Sequence, residues 1–66
     1  MDLKEYKNRK VKILITGSNN VELTYTGYVI EDTPTHFKFS DKYGDTLLFS
    51  KTRLLEVSLI NGGGRQ

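Results

Sequence analysis

The run Val21-Glu-Leu-Thr-Tyr-Thr-Gly27-Tyr-Val-Ile30, then Glu31-Asp32-Thr33-Pro34, then Thr35-His-Phe-Lys-Phe-Ser40, decides how this chain is read. Val21, Leu23, Tyr25, Gly27 and Val29 alternate with Glu22, Thr24, Thr26, Tyr28 and Ile30, the period of a β-strand. A glycine inside a strand marks a bend, a bulge or a close approach of another backbone. A strand bent at Gly27 lets one small sheet curl back on itself and close. Pro34 donates no backbone hydrogen bond and interrupts the ladder. Beyond it Phe37 and Phe39 are expected to face inward, with His36 and Lys38 outward.

Upstream, Val11, Ile13 and Ile15 alternate with Lys12, Leu14 and Thr16, which makes Lys10 to Thr16 a first strand. Gly17-Ser18-Asn19-Asn20 is the turn that follows it. Asp2-Leu3-Lys4-Glu5 has the spacing of a capping box, so a short helix with Leu3 and Tyr6 on one face precedes the sheet. Downstream, Asp41 to Asp45 reads as a turn and Leu47 to Phe49 as a short fourth strand. Ser50-Lys51-Thr52-Arg53 is a tight polar turn, and Leu55, Val57 and Leu59 are expected on the inner face of a fifth strand. The predicted fold is all-β: a five-stranded, strongly bent small barrel with a short N-terminal helix. It occupies residues 1–60 as a single domain, with 61–66 (Asn-Gly-Gly-Gly-Arg-Gln) as a flexible tail.

Sixty-six residues without cysteine must find their stability in a small apolar core or against a second subunit. A single histidine, scattered acids and no glycine-rich phosphate loop leave no nucleophile–base pair, so no enzyme is expected. The same inventory gives no metal site and no cofactor. No apolar run approaches the roughly 18 residues of a membrane span, and the start lacks a signal-peptide layout. A cytoplasmic protein without a membrane partner is the expectation. The net charge is only +2, but residues 1–12 hold five basic residues against two acidic ones. A basic end on a near-neutral body suits either a phosphate-contacting rim or a solvated surface.

One short helix, five strands, the anchor Thr26-Gly27-Tyr28-Val29 with Glu31-Asp32, and the run Leu48-Phe49-Ser50-Lys51-Thr52-Arg53-Leu54 resemble the Sm-like family, over roughly Leu3 to Leu59. Thr52 stands where the bacterial signature carries a histidine. The resemblance implies a non-catalytic RNA-binding protein. It implies a homo-oligomeric ring, a hexamer or heptamer, in which strand four of one copy pairs with strand five of the next. Single-stranded RNA would be the ligand, with Lys51 and Arg53 lining the central pore.

Other candidate RNA contacts come from the residues themselves. His36 and Lys38 on the outer face of strand three, with Tyr28 on that of strand two, combine an aromatic ring with positive charge, as single-strand binding requires. Arg9, Lys10 and Lys12 are candidate rim contacts to phosphate. Leu48, Leu54 and Ile60 fall on the side opposite the assigned core, beside the sheet edges, and are candidate oligomer-interface residues. Two other functions remain open: a protein-interaction adaptor that accepts a partner strand at an exposed edge, and a monomeric DNA-binding barrel.

Overall fold

The computed structural model describes residues 3–60. In chain order it contains a one-turn 3-10 helix η1 (Lys4–Tyr6), β1 (Lys10–Thr16), the 3-10 turn η2 (Ser18–Asn20), β2 (Glu22–Asp32), β3 (His36–Asp41), β4 (Thr46–Ser50), the 3-10 turn η3 (Lys51–Arg53) and β5 (Leu54–Leu59). The five strands form one antiparallel sheet in the order β4-β3-β2-β1-β5. β4 and β5 are its two edges and do not pair with each other. This corrects the barrel: the sheet curves but stays open. The expected tail, 61–66, and the expected cap, Asp2, lie outside the described residues.

Curvature shows in the core. Val11, Ile13 and Ile15 of β1, Val29 of β2, and Phe37 and Phe39 of β3 are fully buried together with Leu3, and Phe49 of β4 is nearly so. A flat sheet with one helical turn above it has no second layer to bury a whole face. The sheet must fold over its own inner side, and Tyr25 on β2 accordingly reaches Phe49 on β4, with ring centroids 5.3 Å apart. Leu3 and Tyr6, carried by the η1 segment, pack into the same core.

β2 is shared between its neighbours rather than flanked along its length. β1 pairs with Glu22 to Tyr28, whereas β3 pairs with Gly27 to Asp32, so only Gly27 and Tyr28 have strands on both sides. At this crossover the backbones crowd together. A Cβ on Gly27 would run into the Ser40 carbonyl oxygen and stand 2.9 Å from the Asp41 Cα. Glycine is required by close approach, not by an unusual φ. Past the end of β1, the chain before it takes over the flank of β2, with a bridge between Lys7 and Val29.

Two register shifts adjust the faces. One falls between Val29 and Glu31 on β2, and the other where β5 meets Leu14 and Ile15 of β1. In the second, Ile15 pairs with Leu54 and Leu14 with Glu56, so Leu55 is the extra residue of a bulge. Leu54 and Val57 therefore pack on the core, and Leu55 and Leu59 are left exposed. The expected inner face of strand five, Leu55, Val57 and Leu59, is corrected in part: Val57 and Leu59 keep that side, opposite Ile13 and Val11, but only Val57 packs on the core, where Leu54 takes the place expected of Leu55.

Candidate functional site

The outer face of the sheet carries ordered rows of polar side chains. Lys10 lies opposite Tyr28, which lies opposite Ser40; Ser58, Lys12 and Thr26 form the next row. Lys10, Lys12 and Tyr28 are all exposed, and Arg9 precedes the first row. This arrangement places two ammonium groups and a phenol ring on one surface, chemistry that can hold an anion beside a planar group. Three of the strands' candidate residues are thus brought together by register.

The remaining candidates lie elsewhere and have partners of their own. Lys38 bridges to Glu31 at 3.2 Å, and the His36 ring nitrogen Nδ1 shares a 2.9 Å hydrogen bond with the Thr35 hydroxyl. Thr33 fixes the intervening turn: its hydroxyl accepts from the His36 N–H and donates to the His36 carbonyl, both at 3.0 Å. In η3, the Lys51 ammonium is 2.5 Å from Asp32 Oδ1, and the Arg53 Nε donates to the Thr16 carbonyl at 2.7 Å. Ser50 caps the turn by accepting from the Thr52 N–H. The Lys51 side chain is only 9% exposed. Sequence reasoning found the lysine but missed its partner, although Asp32 was within the quoted motif.

The edges are the other distinctive surface. β4 reads Thr46-Leu-Leu-Phe-Ser50 and has no charge, no proline and no bulge, the devices that normally blunt an edge strand. Leu48 stands 64% exposed at its centre. On β5, Leu55 and Leu59 are 48% and 42% exposed, and the strand's one charge is Glu56. Of the candidate interface residues, Leu48 is on open surface, whereas Leu54 packs against the core and Ile60 is half-buried.

No family model matches this chain, and no curated protein or solved structure matches it either. The open sheet corrects the Sm-like resemblance and the function drawn from it. The RNA-binding ring presupposed a closed barrel with Lys51 presented at a pore, and here the sheet is open and Lys51 is held by Asp32. Among the described residues, no cluster of histidine and carboxylates could hold a metal ion, and no helix is long and apolar enough to cross a membrane.

Proposed function

We propose that this domain is a self-associating module in which β4 of one copy pairs edge to edge with β5 of a second copy. The observation that carries this reading is the bare edge of β4, uncharged, unbulged and topped by exposed Leu48. Backbone pairing would satisfy the free N–H and C=O groups of both edges. Leu48 would then meet the exposed leucines of β5, Leu55 and Leu59, removing apolar surface from water.

Pairing β4 with β5 is preferred to pairing like with like. Two β5 strands set antiparallel would bring their Glu56 side chains into proximity, an unfavourable arrangement of like charge. Two β4 strands would leave the β5 leucines in water. A small core gives the association a thermodynamic purpose, because a partner adds buried area that one 66-residue chain lacks.

Backbone hydrogen exchange at increasing protein concentration tests the contact. Amides of β4 and β5 that exchange fast in dilute solution should become protected together as concentration rises. Protection that stays constant on both edges would remove the proposal.

A further inference from the structure

The stagger of the sheet leaves a third unpaired edge, inside the sheet rather than at its margin. From Glu22 to Thr26, β2 has β1 on one side and, among the described residues, no strand on the other, because pairing to β3 begins only at Gly27. β3 would have to continue past Asp41 to fill this place. Instead the chain turns back, and an open cleft of about 300 Å³ remains, lined by Thr24, Tyr25, Thr26, Asp41, Lys42 and Tyr43.

The turn that walls the cleft is held firmly. Asp41 Oδ1 accepts from the Tyr43 N–H at 2.9 Å and from the Asp45 N–H at 3.0 Å. The Gly44 N–H donates to the Asp41 carbonyl at 3.0 Å, with Gly44 in the left-handed region at φ 88°. The backbone of Tyr43 is thereby fixed beside the gap and carries a ring 79% exposed, with the Lys42 ammonium 5.4 Å from its centroid. A large exposed ring carried on a hydrogen-bonded turn, next to a row of unpaired backbone, suits an added strand.

We propose that this notch accepts an extended segment of another polypeptide, which pairs with β2 over Glu22 to Thr26 in the line that β3 abandons at Asp41. Main-chain hydrogen bonds would supply the affinity, and the alternate side chains of the guest would meet Thr24 and Thr26 on one face and Tyr25 on the other. The guest is rich in β-branched residues and free of acidic ones. Glu22 on the pairing span, with Asp41 and Lys42 at the mouth, leaves a small negative excess that disfavours an acidic strand, and the threonine flanks favour β-branched cross-strand neighbours. Tyr43 closes over the guest from the turn. This site is separate from the β4 and β5 edges.

The test uses the full chain, isotopically labelled, and a synthetic end-blocked peptide of alternating threonine and valine followed by chemical shifts. The expected result is saturable binding with shifts confined to Glu22–Thr26 and Asp41–Tyr43. A peptide of the same sequence with alternate backbone nitrogens methylated should not bind. Tyr43→Ala, at a residue with little buried surface, should weaken binding about fivefold. The same titration on Leu48→Lys should give the same map, which separates this site from self-association. No saturable binding, or shifts that map to β4 and β5, would overturn the proposal.

Discussion

Lys51 and Asp32 meet at 2.5 Å with side chains only 9% and 13% exposed, and the pair joins the β4–β5 turn to the far end of β2. Among the described residues Asp32 Oδ1 has no hydrogen-bond donor besides this ammonium, so the ion pair is its compensation for burial. Its second oxygen accepts from the Leu3 N–H at 3.4 Å, which brings the N-terminal segment to the same point. Beside it the Lys51 N–H donates to the Thr35 carbonyl at 2.9 Å. Three separate parts of the chain are therefore tied at one carboxylate.

Removing one member of a mostly buried pair strands the other's charge with little solvent to compensate it. Lys51→Met should lower stability by about 3 kcal/mol, while the double variant with Asp32→Asn should recover part of the loss. Urea denaturation of the two single variants and the double variant checks this. Additive losses would mean that the two groups act independently.

Gly27 and Gly44 separate crowding from conformation. Gly27→Ala forces a Cβ against the β3 backbone and should cost about 3 kcal/mol or more. Gly44→Ala has open space around it but a φ of 88°, so only backbone strain of about 1 kcal/mol is expected. Thermal melts of both variants read the difference directly.

Phe37 is fully buried and packs against Phe49 with tilted rings, their centroids 5.5 Å apart. Phe37→Ala should cost about 3–5 kcal/mol. In so small a domain that loss approaches the whole of the stability, so the variant should lack a cooperative melt. A retained sharp transition would mean that the core is less dependent on this ring.

Leu48→Lys places a charge in the middle of the bare edge without touching the core. It should leave the circular dichroism and melting profile of the monomeric fold intact while abolishing association. Lys12→Ala, on the outer face, should change neither.

Much of this architecture was legible in the alternation of β1 and β3, since Val11, Ile13, Ile15, Phe37 and Phe39 are buried as their spacing dictates, whereas the alternation before Gly27 misled, since Val21 and Leu23 are exposed. Gly27 was legible too, although its cause is the approach of Ser40 and Asp41 rather than closure. The failure lay in closure and in β5. A bend permits a barrel but does not bring two edges together, and no local pattern records whether β4 and β5 meet. The bulge at Leu55 is equally silent in the sequence, because Leu54 and Leu55 are chemically identical and only their register against Ile15 tells them apart. The candidate lysines were visible as charges. Their partners were not, because Lys51 lies nineteen positions from Asp32 in the chain and meets it only when β3 sets the end of β4 beside the end of β2.

Light scattering on a sizing column over a range of protein concentrations tests edge-to-edge association most directly. Edge-to-edge association should give a mass well above the 7.6 kDa of one chain, falling to 7.6 kDa in Leu48→Lys. A mass of 7.6 kDa for the unaltered chain at every concentration would contradict it.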